Sequence, residues 1–146
     1  ISTDYSIRVL LILAGNGRLP SLSELSKASA VTEAYLLKLI KKLKSSGFMK
    51  SYNGVNGGYE LAMEPKDISL FDIIDTVEQT TRVNRCLEED HYCSRLATGG
   101  CPGRKTYQKW QQLQDHFLQS ETLEDLINEN QNPTFPDTSE EYAQII

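Results

Sequence analysis

The chain has 146 residues, 39% of them hydrophobic and 24% charged, which is room for one ordinary domain and excludes a large multidomain enzyme. Fifteen Lys and Arg against twenty Asp and Glu leave a net charge of -5, a total that argues against a polyanionic partner. Three Cys are too few for a disulfide scaffold, no apolar run approaches the ~20 residues of a membrane span, and Asp4 and Arg8 interrupt the opening stretch, so a cytoplasmic protein with reduced thiols is expected.

In chain order, Ile7, Leu10, Leu11 and Ala14 recur at helical spacing and predict a helix from Ser2 to Gly15. Ser21 with Glu24 three residues on is a capping-box pattern, opening a short helix to about Ser29. After a turn at Ser29-Ala30-Val31, Thr32 is a second cap candidate for a helix to Ser46 that Gly47 closes. Two short helices so joined form a helix-turn-helix candidate. On the second, Leu36, Ile40 and Leu43 make an apolar stripe, and Tyr35, Lys38, Lys42 and Ser45 fall opposite. The strand-like run from Phe48 to Tyr52, the turn dipeptide Asn53-Gly54 and the return from Gly57 to Leu61 predict a hairpin, or wing. Gly57 and Gly58 suit a bulge or a close approach to a phosphate backbone. Ser69 caps a further helix ending at Glu78, and periodicity then lapses until about Gly103. From Arg104 to Leu118 a helix returns, with Tyr107, Trp110, Leu113 and Phe117 on one face that belongs either to a core or to a partner helix. Residues 122–130 add a last turn or two, and the acidic stretch 131–146 is expected to be flexible.

Resolved along the chain, the charge changes meaning. The first 62 residues carry eight basic and four acidic side chains, with Lys38, Lys41, Lys42, Lys44 and Lys50 close together, whereas residues 121–146 carry seven acids and no Lys or Arg. The aperiodic interval holds all three cysteines, Cys86, Cys93 and Cys101, at spacings of seven and eight. Zinc favours tighter pairs, and an iron-sulfur cluster, a larger body, accepts wider ones; a thiol redox switch and structural thiols remain open. His91, inside the loop, is a candidate fourth ligand, and His116 reads as a surface or interface residue. Glu88-Glu89-Asp90 reads as a solvated loop tip. Hydrolase, phosphate-loop, zinc-protease and dinucleotide fingerprints are missing from the sequence, and no enzyme is expected.

The order of these elements resembles a known family. A first helix opening Ser-Thr-Asp-Tyr-Ser-Ile-Arg, the segment Thr-Glu-Ala-Tyr-Leu-Leu, the wing Asn-Gly-Val-Asn-Gly-Gly-Tyr-Glu-Leu-Ala and a three-Cys loop before a long helix are similar to the bacterial Rrf/IscR/NsrR winged-helix regulators, over roughly residues 1–130. The resemblance implies a mainly α fold with a small β-wing: a winged helix-turn-helix over 1–80, a cluster loop over 81–102, and a dimerisation helix with a C-terminal turn over 103–130. It implies a homodimer on double-stranded DNA with a pseudo-palindromic operator, controlled by a cluster on Cys86, Cys93 and Cys101, and a repressor in function. Where 2Fe-2S members have a His three residues after the third Cys, this chain has Arg104, and Asp4 stands where 4Fe-4S members supply a fourth ligand from the partner subunit. The resemblance therefore favours Asp4 over His91, and 4Fe-4S over 2Fe-2S. A cluster-free regulator answering to thiol oxidation or to a partner protein is the alternative within the family. The expected DNA-facing set is Ser21, Thr32, Tyr35 and Lys38, the phosphate-neutralising Lys41, Lys42, Lys44 and Lys50, and the wing residues Asn53, Asn56 and Gly57. Asn53 and Leu37 depart from residues common in the family, an Arg and an acid respectively, so no operator sequence follows.

Overall fold

The computed structural model describes residues 1–15, 17–97 and 99–131. The expected flexible tail, from residue 132 on, lies outside them. Helix α1 (Ser2–Gly15) is followed by α2 (Leu22–Ser29) and α3 (Glu33–Ser45), then by an antiparallel hairpin of β1 (Met49–Tyr52) and β2 (Gly58–Leu61). Helix α4 (Leu70–Glu78), an irregular loop with one 3-10 turn at Arg85–Leu87, the long α5 (Pro102–Ser120) and α6 (Leu123–Gln131) complete the order. Among the described residues no helix is long and apolar enough to cross a membrane.

Local chemistry accounts for the boundaries. Ser21 and Glu24 form the expected capping box, the Glu24 N–H donating to Ser21 Oγ and the Ser21 N–H to Glu24 Oε2. Ser69 with Asp72 repeats it at α4, and Thr122 with Asp125 repeats it at the start of α6. Thr32 stands at the N-cap position of α3, but its side chain makes no cap bond. Gly47, at φ +79°, ends α3: its N–H donates to Lys44 and that of Phe48 to Leu43, satisfying two orphan carbonyls at once. Helix α5 begins at Pro102, two residues earlier than its periodicity suggests, because proline lacks only an N–H that the first turn leaves unpaired anyway.

The core gathers Val9, Leu10 and Leu13 of α1, Leu25 of α2, Leu36, Leu39, Ile40 and Leu43 of α3, and Ile73 and Val77 of α4. Leu123 of α6 is fully buried in the same cluster, and the Leu123 N–H donates to the Ile68 carbonyl, drawing the chain back onto its first half. Segment 103–130 thus supplies one helix that stands off the core and one that joins it.

The wing is set by close backbone packing. A Cβ on Gly57 would lie 2.2 Å from the Tyr52 carbonyl oxygen, and one on Gly58 2.7 Å from the Pro20 carbonyl oxygen. Within the chain these glycines allow a close approach of backbone to backbone, and the Tyr59 N–H, donating to Pro20, ties β2 to the loop before α2. Gly57→Ala is expected to lower unfolding stability by about 1–3 kcal/mol, as overpacking against immovable backbone does, and urea denaturation followed by circular dichroism measures it.

Candidate functional site

Burial of Leu39 beside Leu36, Ile40 and Leu43 turns the outward face of α3 by about one residue from the expected stripe. That face presents Ala34, Leu37, Lys38, Lys41, Lys44 and Ser45 to solvent. Tyr35 does not face outward. It is half-buried toward α1, its hydroxyl 2.7 Å from Ser2 Oγ and its ring edge-on to Tyr5. Nor is Lys42 free, since its Nζ donates to the Val77 carbonyl at 2.7 Å. Lys38 and Lys41 are exposed, and Lys44 reaches Ser51 Oγ while remaining exposed. Lys50 pairs with Glu60 at 3.0 Å, which holds its ammonium above the usual lysine range, so this cation is already partly neutralised within the hairpin.

At the wing tip Asn53, Val55 and Asn56 are exposed, and no Lys or Arg lies within 53–57. A cleft of about 620 Å³ separates the tip from the start of α2, with Ser21, Arg18, Asn56 and Gly57 on its walls. Ser21 is exposed there with its hydroxyl committed to the cap. Arg18 on this cleft pairs with Glu24 at 2.6 Å, and sequence reasoning left Leu37 out of the DNA-facing set, although Leu37 stands 49% exposed in the middle of the outward face. Counting Leu39 into the apolar stripe is the signal that finds Leu37.

The three thiols are free, half-buried, and line one cavity of about 490 Å³ together with Arg85, Arg95, Arg104 and Tyr107. Asn84 accepts the Cys86 N–H, and Cys101 sits immediately before α5. The Cys93 thiol is held below the usual cysteine range by the N–H groups of Ala97 and Arg95, with the Arg95 charge assisting; the thiolate is the form that ligates metal. Arg104 cannot ligate, and its guanidinium donates to the Cys86 carbonyl and reaches His91 Nδ1, each at 3.2 Å. That contact holds His91 outside the cavity, exposed. Asp4 is likewise not brought to the thiols within one chain; it is exposed at the start of α1 and ion-paired with Arg8 at 2.7 Å. Asp90 pairs with Arg85, so the acidic loop tip is braced internally.

Among the described residues no three Cys, His, Asp or Glu side chains converge as a single metal ion requires. Three thiols on one cavity are the donor type that an iron-sulfur cluster takes, and the described residues add no fourth Cys to them.

Helix α5 inverts the usual pattern. Its buried residue is Gln111, 5% exposed, whose Oε1 accepts the Val83 N–H at 2.8 Å and whose Nε2 donates to the Thr81 carbonyl at 3.0 Å. Trp110, Leu113 and Phe117 stand 53%, 74% and 56% exposed. Tyr107 departs from this face: half-buried, it packs its ring near Trp110 and lines the thiol cavity. His116 is exposed, as expected.

Comparison with known proteins agrees with this architecture. The Rrf2 family, described as iron-dependent transcriptional regulators, matches residues 1–129. A chain of Aquifex aeolicus (strain VF5) that bears the name of an HTH-type transcriptional regulator is 32% identical over 136 residues, covering 90% of this chain and 92% of that one. Among solved structures, CymR, the global cysteine regulator of B. subtilis, is 29% identical with a TM-score of 0.67, covering 87% of this chain and 93% of its own. IscR of T. potens is 26% identical with a TM-score of 0.69, covering 94% and 90%. With the family model matched across residues 1–129 and the winged-helix fold shared with CymR and IscR, the chain belongs to the Rrf2 family of DNA-binding transcriptional regulators, which are not enzymes.

Proposed function

We propose that the protein is a cytoplasmic homodimeric repressor whose operator affinity is set by an iron-sulfur cluster, 4Fe-4S in preference to 2Fe-2S. The observation that carries this reading is the cavity shared by three free thiols beside a helix whose apolar side chains face outward. Exposed apolar area of that kind on α5 calls for a cover, and a second α5 supplies one of the same chemistry. In this reading residues 1–80 bind DNA, 81–102 hold the cluster and 103–130 dimerise.

Lys38 and Leu37 face base edges, Lys41 and Lys44 neutralise phosphates, and Asn53 and Asn56 carry the wing to a minor groove. Two symmetry-related α3 helices imply half-sites about one turn, ~34 Å, apart on a pseudo-palindromic operator. Cys86, Cys93 and Cys101 would be the thiolate ligands of such a cluster, and Asp4 of the partner subunit would be its fourth ligand, tying α1 of one subunit to the cysteine loop of the other. When bound, the cluster supplies an iron centre sensitive to oxygen, nitric oxide or iron loss. The second reading, a cluster-free regulator driven by thiol oxidation or a partner protein, draws support from the likeness to the cysteine regulator CymR and from the lowered Cys93 thiol.

Protein purified anaerobically is expected to contain stoichiometric iron and sulfide with visible absorption, and Cys93→Ala to lose both; elemental analysis without iron or sulfide favours the cluster-free reading. Leu113→Lys is expected to sediment as a monomer with an unchanged helical spectrum. Its operator affinity is expected to fall by about 10²-fold or more, because each half-site is then bound singly.

A further inference from the structure

Lys42 belongs to the DNA-facing helix, yet its ammonium is directed at the end of another. Nζ donates to the Val77 carbonyl, 2.7 Å away, in the last turn of α4, where carbonyls lack intrahelical partners and carry partial negative charge. A second contact, from Thr76 Oγ1 to Ser46 Oγ at 3.1 Å, joins the same two helices one turn further on. The segment 77–83 that begins at this carbonyl is a junction. Glu78 accepts the N–H and hydroxyl of Thr3 at the start of α1, Thr80 donates to Glu88 in the cysteine loop, and Thr81 and Val83 are held by Gln111 of α5.

We propose that Lys42 is a positioning residue and not a phosphate contact: it clasps α3 to segment 77–83, so that a shift of the cysteine loop or of α5 re-aims the recognition helix. The proposal rests on α3 being the DNA-facing helix and is independent of the cluster. Coupling between two sites is reciprocal, so DNA held by α3 must in turn be felt at 77–83, a segment whose hydrogen bonds run to α1, the cysteine loop and α5.

Lys41, adjacent in sequence, exposed and without a partner among the described residues, is the internal control. The test compares wild type with Lys41→Met and Lys42→Met, each keeping an unbranched apolar stem, on a short duplex selected from a random-sequence pool by the wild-type protein. Lys41→Met is expected to lower the slope of log affinity against log salt by about one, as the loss of one phosphate contact does. Lys42→Met is expected to lose affinity several-fold with the salt slope unchanged. In hydrogen exchange, DNA is expected to slow the Val83 amide and its neighbours in wild type and in Lys41→Met, and to leave them unchanged in Lys42→Met.

A Lys42→Met slope lowered by about one, with protection of 77–83 retained, overturns the assignment, as does a wild-type segment that DNA does not protect. An unchanged slope in Lys41→Met removes the DNA-facing reading of α3 and this proposal with it. Absence of iron and sulfide overturns only the cluster reading and leaves the Lys42 assignment to be decided by slope and exchange.

Discussion

The amide of Gln111 is the contact on which the placement of α5 against the cysteine loop depends. It satisfies the Val83 N–H and the Thr81 carbonyl at once, and Gln114 adds a second donor to the same carbonyl. Each such bond contributes only about 0.5–1.5 kcal/mol net, but leaving these buried groups unpaired costs more than making the bonds gains. Because α5 is attached by amide geometry and not by apolar burial, Trp110, Leu113 and Phe117 are left outward, the arrangement a helix needs if it is to meet another copy of itself. The same attachment brings Cys101 and Tyr107 alongside Cys86 and Cys93.

The main core is organised differently. Apolar residues from α1, α2, α3, α4 and α6 close one cluster, and capping boxes at Ser21, Ser69 and Thr122 fix where three helices begin. The wing is held to that body by backbone: Gly57 folds against Tyr52, Gly58 against Leu19 and Pro20. Wing and α3 are thereby anchored to one body, β2 through the Pro20 carbonyl and α3 through Leu36, Leu39, Ile40 and Leu43.

Two kinds of charge share the surface. Lys38 and Lys41 on α3 are exposed, while Lys50, Arg85 and Arg8 are paired with Glu60, Asp90 and Asp4. Exposed pairs of this sort contribute little stability, so their effect is chiefly to hold side chains in place and lower local net charge. The net charge of -5 is accordingly a poor guide to DNA binding: what faces outward on α3 is basic, and the seven acids after residue 120 have no Lys or Arg among them.

What the sequence determined by itself is whatever local chemistry dictates: the caps at Ser21 and Ser69, the stop at Gly47, the hairpin turning at Asn53-Gly54 and the order of helices that marks the family. These depend on residues within a few positions of one another, where spacing carries the physics. The fates of Tyr35, Lys42 and Tyr107 depend on partners far along the chain: Ser2 and Tyr5 for the first, Val77 for the second, the cysteine cavity for the third. Periodicity locates a stripe on a helix but not which neighbouring helix flanks it, so residues at its margins turn inward or outward only when those helices dock. His91 follows the same rule, since tertiary packing brings Arg104 to it, whereas Asp4 meets Arg8 one turn along its own helix, a pairing that spacing within the sequence already allows.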